Sequence, residues 1–238
     1  MTAAAVSVAD LRKAYGDVQA LRGVDFEVST GEIFGLVGPN GAGKSTTLRI
    51  MSTLLHADGG EVSIFGADVD EEPNDARAAL RYVPEEAGAY ENQTGRQYLD
   101  FIAAFYTEDT TAMVERGVDL ADLGDRIDDR TSEYSKGMTR KLLLASALMT
   151  GPDLAILDEP TSGLDVRNAR TVREVIKDFP GTDRSIILSS HDMLEVEYLC
   201  DRVGLLDAGE IVGVGTPAEL VDAYDVDNLE NAFLEVTA

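Results

Sequence analysis

Cysteine is almost missing from this chain of 238 residues: Cys200 stands alone, which excludes an internal disulfide and fits a reducing compartment. Within Tyr198-Leu199-Cys200 it reads as a core residue. No apolar run approaches the roughly 18 residues of a membrane-crossing helix, so no span is expected. Residues 1–10 carry no Lys or Arg ahead of their apolar positions, which argues against a signal peptide. Lysine is scarce as well, with five in all (Lys13, Lys44, Lys136, Lys141 and Lys177), and 20 basic residues face 44 acidic ones for a net charge of −24. Such a surface repels nucleic-acid phosphates, and no nucleic-acid partner is expected. The acidic residues are spread along the chain, not gathered in a tail, a composition that resembles proteins of salt-in halophiles, where high salt screens self-repulsion.

Against these absences stands one stretch with every fixed position of a phosphate loop filled: Gly38-Pro39-Asn40-Gly41-Ala42-Gly43-Lys44-Ser45-Thr46. Gly38, Gly41 and Gly43 open backbone conformations that let successive N–H groups turn inward on an anion. Lys44 is spaced to reach the β- and γ-phosphates, and the Ser45 hydroxyl to hold Mg²⁺. An apolar run of buried-strand type, Ile33–Val37, precedes the loop, and helix-compatible spacing follows it over residues 46–51. Strand, glycine loop and helix place the phosphate on a helix N-terminus.

Upstream, Val6-Ser7-Val8-Ala9 and Val24-Asp25-Phe26-Glu27-Val28 alternate as partly exposed antiparallel strands do. Between them, Tyr15 has two readings: a ring that stacks on a purine, or an ordinary surface tyrosine. His56 has no carboxylate or cysteine pattern around it and reads as a solvated loop residue. Leu80–Val83 is a short strand stopped by Pro84, followed by Glu85-Glu86 and a glycine-bearing loop. Thr94 and Gln97 form a capping box that opens a helix near residues 98–105, and the chain to about Arg130 looks helical and acidic. Ser135 and Gly137 precede a helical stretch over residues 139–149; they can form a second anion site, or Ser135 can serve only as an N-cap.

A buried strand over residues 154–159 then ends in two carboxylates, Asp158 and Glu159, a costly arrangement unless they meet a cation or do chemistry. Beside a phosphate loop, Asp158 is the partner of Ser45 for Mg²⁺, and Glu159 is placed to orient or deprotonate an attacking water. Another apolar strand from Ser185 ends at Ser189-Ser190-His191-Asp192. Three strands thus deliver polar residues at their C-terminal ends, the edge at which open parallel sheets bind ligands, and His191 is read as a γ-phosphate contact. Residues 203–214 form a hairpin, and the tail from Thr216 is short, helical and acidic.

Tyr15, GPNGAGKST, YSKGM (134–138), LAILDEP (154–160), TSGLD (161–165) and SSHD (189–192), in that order, resemble the ATP-binding subunit of an ABC transporter, and the resemblance covers nearly the whole chain. It implies that Tyr15 stacks on adenine, that residues 38–46 are the Walker A loop and Asp158 the Walker B aspartate. Glu159 would be the catalytic base and His191 the switch histidine. Asp165, the end of TSGLD, joins the nucleotide-contacting set, as do Ser135 and Gly137.

Two departures from the family pattern are the signature, YSKGM in place of LSGGQ, and Glu85 in place of the Q-loop glutamine, where it still offers Mg²⁺ an oxygen. Both variants resemble ATPases that pair with separate ABC-2 type membrane subunits in export. The implied fold is α/β: a RecA-like P-loop NTPase core with an antiparallel β subdomain (residues 1–84 and 153–215), an inserted α-helical subdomain (85–152) and a C-terminal tail (216–238). The implied cofactors are ATP and Mg²⁺. The implied partners are a second ATPase copy, identical or a paralogue, facing the first head to tail, and an ABC-2 type permease docked near residues 85–96 at the cytoplasmic face of the membrane. A soluble ABC-type ATPase acting with non-membrane partners is the alternative; a GTPase or small-molecule kinase does not fit, since no N-K-x-D motif is present and neither class explains YSKGM.

Overall fold

The computed structural model describes residues 4–106 and 109–237. Residues 1–3, 107, 108 and 238, at the ends of the expected core and tail and inside the expected helical segment, lie outside the described residues. Two long strands, β1 (Ala4–Tyr15) and β2 (Val18–Ser29), open the chain. They pair antiparallel, and together with β4 (Gly59–Ile64) and β5 (Ala67–Asp68) make a four-stranded sheet of order β2-β1-β4-β5. The alternation in sequence is the cause: Val6, Val8 and Leu11 point to one face with Val24, Phe26 and Val28, and that face is buried.

Between β2 and β4 run β3 (Ile33–Val37) and the helix after the glycine loop, α1 (Lys44–Met51). The chain continues through α2 (Pro73–Ala79) and β6 (Leu80–Val83) into a helical segment of α3 (Gly95–Ala103), α4 (Thr110–Ala121), two short 3₁₀ turns and α5 (Lys136–Leu148). It returns as β7 (Leu154–Asp158), α6 (Val166–Asp178), β8 (Ser185–Ser190), α7 (Met193–Leu199) and the hairpin β9 (Arg202–Asp207) and β10 (Glu210–Gly215). Two helices, α8 (Pro217–Ala223) and α9 (Leu229–Val236), close it. The second sheet has the order β10-β9-β3-β8-β7-β6, parallel throughout except for the β9–β10 hairpin.

Every residue of β3, β7 and β8 is buried because both faces of this sheet are covered. On one face Phe34, Leu36, Leu154, Ile156 and Ile187 pack against the antiparallel sheet and α1, with Phe34 stacked on Phe26 at 5.2 Å between ring centres. On the other, Val37, Ala155, Leu157, Ile186 and Leu188 join the core of the helical segment, including Leu99, Met113 and Leu142. Each fully buried Leu or Ile contributes roughly 1.5–3 kcal/mol. The expected mixed fold, with an antiparallel sheet and an inserted set of helices, is the one observed.

Three local details differ from the reading of the sequence. The helix expected over residues 139–149 begins at Lys136, because Ser135 is itself the N-cap and accepts from the Met138 N–H at 3.3 Å. The capping box at Thr94 starts α3 directly after it, so this helix ends at Ala103 and not at residue 105. His56 sits exposed in its loop as expected, but it does have a carboxylate partner: its Nδ1 lies 2.7 Å from Asp70, fourteen residues on and so invisible to a local pattern.

Candidate active site

The glycine loop leaves β3 between β8 and β9 and is pinned on its far side by the hairpin turn at Gly209, whose N–H donates to Ala42 at 3.0 Å. Gly38 is needed for this approach, since a Cβ there would collide with the Leu206 carbonyl. Gly43, the residue before α1, has φ 114°, closed to other residues, and so aims the first N–H groups of the helix back into the loop. Lys44 is 6% exposed and donates to the carbonyls of Gly38 at 2.6 Å and Pro39 at 3.3 Å. Pro39, Asn40 and Gly41 are exposed at the rim. A cavity of about 180 Å³ opens here, lined by Ala20, Pro39, Asn40, Gly41, Gly43, Lys44, Ser45, Thr46, Glu85 and Glu159.

Asp158, only 2% exposed, is held at the end of β7 by three hydroxyls. Ser189 donates to it at 2.6 Å, Ser45 at 3.2 Å and Tyr82 at 3.2 Å. Burial, and next the Asp158 charge, push the Tyr82 phenol up to about 12, so it remains a donor. No group of three or more His, Cys, Asp or Glu is arranged to hold a metal among the described residues. The pair of hard oxygens at Ser45 and Asp158 nevertheless suits Mg²⁺, which takes one or two protein oxygens and completes its shell from phosphates and water.

Glu159 follows with φ 48°, an uncommon conformation for a residue with a Cβ, and its N–H donates to the Ser189 hydroxyl at 3.0 Å. The turn brings its carboxylate, on a residue 7% exposed, to 3.5 Å from Lys44 Nζ and 2.8 Å from His191 Nδ1. Lys44, Ser45, Asp158, Glu159 and His191 therefore form one connected group at the C-terminal ends of β3, β7 and β8. Glu85 lines the same cavity and accepts from the Ser162 hydroxyl at 3.2 Å. Such a group can hold a triphosphate's cation, carry a proton acceptor beside the terminal phosphate and contact that phosphate from two sides.

Ser135, Gly137 and Asp165 are brought together elsewhere, at the facing N-termini of α5 and α6. Asp165 caps α6 through the N–H groups of Arg167 and Asn168, each at 3.0 Å, and Asn168 Nδ2 would lie 2.6 Å from a Cβ at Gly137. None of the three lines the cavity around Lys44. Tyr15 also lies outside that lining, at the end of β1, 48% exposed with Lys13 Nζ 6.0 Å from its ring centre.

Among the buried charges that escaped the reading of the sequence, two lie against the site, Glu195 and Arg140. Glu195 on α7 accepts from Thr161 at 2.5 Å and Ser190 at 3.0 Å, and burial raises its carboxyl above the ordinary value. Among the described residues, Arg140 on α5 donates only to main-chain carbonyls, including those of Asp158 and Glu159. Burial lowers the proton affinity of its guanidinium, and the nearby carboxylates, Asp158 foremost, offset part of that. The one available signal for Arg140 was a cation within an otherwise apolar helical face.

Comparison with known proteins agrees with this geometry. The family model described as ABC transporter matches residues 21–162. The linearmycin resistance ATP-binding protein of Bacillus subtilis (strain 168) is 35% identical over 92% of this chain and 72% of its own length. The Nod factor export ATP-binding protein I of Rhizobium meliloti (strain 1021) is 37% identical over 92% of this chain and 66% of its own length. A solved structure of an ATP-binding subunit of an ABC transporter superposes with a TM-score of 0.88 at 29% identity, over 98% of this chain and 99% of that one. With a phosphate loop, a paired Asp-Glu and a histidine converging on one sheet edge, the chain belongs to the ABC transporter family, as an ATP-binding and ATP-hydrolysing subunit.

Proposed function

We propose that this chain is the motor subunit of an exporter: two copies, or this chain and a paralogue, close head to tail on two ATP molecules and drive an ABC-2 type membrane permease from the cytoplasmic face. One observation carries the reading. Lys44, Ser45, Asp158, Glu159 and His191 form one bonded group beside the cavity that Lys44, Ser45 and Glu159 line, whereas Ser135, Gly137 and Asp165 cluster at the N-termini of α5 and α6, as expected of groups that serve the nucleotide of a facing copy. The relatives named for linearmycin resistance and for Nod factor export support the export role.

In this reading residues 38–46 bind the phosphates and Tyr15 stacks on adenine. Ser45 and Asp158, with Glu85 at the rim, would hold Mg²⁺, which would supply neutralisation of charge on the phosphate oxygens. Glu159 accepts a proton from the attacking water, and Lys44 and His191, on either side of its carboxylate, contact the γ-phosphate. Residues 1–84 and 153–215 act as the core, 85–152 as the helical subdomain and 216–238 as the tail. The permease docks by residues 85–96, next to the exposed aromatic patch of Tyr90, Phe101 and Phe105. The net charge of −24 marks a protein adapted to molar salt.

The test is to trap Glu159→Gln with ATP and Mg²⁺ in its native host, solubilise the membranes and identify what copurifies. A multi-span membrane protein in a two-to-two complex is expected. Recovery of soluble partners alone would replace the exporter with a soluble ABC-type ATPase.

A further inference from the structure

Arg140 lies on α5 five residues after Ser135 and is 7% exposed. Its guanidinium has five N–H groups, and five main-chain carbonyls meet them. Nε donates to Pro160 at 3.0 Å; Nη1 donates to Pro84 at 2.7 Å and, at the limit of range, to Glu85 at 3.5 Å; Nη2 donates to Asp158 at 2.5 Å and Glu159 at 2.9 Å. These carbonyls belong to two segments only: the one leaving β6, which carries Glu85, and the end of β7, which carries Asp158 and Glu159.

Arg140 contributes to stability, because an apolar side chain in its place would leave five main-chain carbonyls without this donor. A planar, forked donor gives something else, fixed geometry: α5 cannot shift against the Asp158–Glu159 backbone without breaking several bonds at once. The same helix has Ser135 as its N-cap, about one turn and a half from Arg140, and Gly137 in its first turn, within a turn of Arg140.

We propose that Arg140 is the positioning residue through which the two ATP sites of the dimer sense one another. This rests on the reading above, in which Ser135 and Gly137 contact the partner copy's nucleotide. Movement of the Ser135 end of α5 onto that nucleotide is delivered through the guanidinium to the backbone of Glu159 and Glu85, which belong to the chain's own site. Each site then reaches hydrolytic geometry only when the other is filled.

Wild type, Arg140→Lys and Arg140→Met are compared in three measurements: thermal midpoint, binding of a fluorescent ATP analogue by the monomer, and hydrolysis rate against ATP concentration. Wild type is expected to show a Hill coefficient above one. Both variants should keep the analogue affinity, with a midpoint lowered more in Arg140→Met than in Arg140→Lys by the carbonyls left unmet, lose about 10- to 100-fold in kcat from misplacement of Glu159, and fall toward a Hill coefficient of one. Arg140→Lys, with three donors, should retain more activity than Arg140→Met. Wild-type kcat and cooperativity in both variants would overturn the proposal, as would a non-cooperative wild type. Joint loss of melting midpoint and analogue binding would also overturn it, because a purely structural role accounts for that. Glu159→Gln with native Arg140 is run alongside: if it stays monomeric with ATP, the dimer reading itself has failed and this role with it. If it dimerises while the Arg140 variants remain cooperative, only the coupling role has failed.

Discussion

Glu159 owes its place to three neighbours: the αL turn that lifts it off β7, Lys44 and His191. Glutamine keeps its size and backbone and removes the proton acceptor. Glu159→Gln is therefore expected to bind ATP and dimerise while phosphate release slows by about 10²- to 10⁴-fold; wild-type turnover would remove Glu159 from the chemistry. Tyr82 gives a prediction of a different kind. Its phenol titrates near 12 in the folded chain against about 10 in the unfolded one, so between those pH values the unfolded state has lost a proton that the folded state keeps. Stability must then fall as pH rises from about 10 to about 12. Tyr82→Phe should show a shallower fall in denaturant midpoint over that window, and equal slopes for the two proteins would refute the assignment.

Among the elements, the capping box at Thr94 was legible in four residues, because both of its bonds are local: Gln97 N–H to Thr94 Oγ1 at 3.2 Å and Thr94 N–H to Gln97 Oε1 at 2.9 Å. Thr94→Ala is expected to cost about 1 kcal/mol in urea unfolding; an unchanged midpoint would mean that packing of Tyr98 and Leu99 alone holds the start of α3. The helix α6 was passed over, although Asp165 caps it and Ala169, Val172 and Ile176 follow at helical spacing. A run of Arg and Glu between those positions masks an amphipathic stripe that only its buried face reveals. The start of α5 was displaced for a related reason, since Lys136-Gly137 inside the first turn reads as loop until Ser135 is seen to cap it.

At the scale of the molecule, the fold was legible from strand patterns, and the main cavity residues from residue types at strand ends. The bond partners were not: Tyr82, Ser189 and Arg140 reach Asp158 from 76, 31 and 18 residues away, and nothing local encodes such pairings. Net charge acts at this scale too. With −24 spread over the surface, self-repulsion weakens the compact state until salt screens it. The thermal midpoint is expected to rise as KCl goes from about 0.1 M to about 1 M, where the screening length shortens from about 10 Å to about 3 Å; greatest stability at low salt would contradict a salt-adapted surface. The order of strands has a further consequence, for synthesis. The glycine loop leaves a strand whose two sheet neighbours, β8 and β9, begin at Ser185 and Arg202, so the loop is translated long before the walls that hold it. A nascent chain can thus carry the complete phosphate-binding motif and still have no folded nucleotide site until most of it has left the ribosome, and the late pairing of distant strands makes this a slow-folding topology.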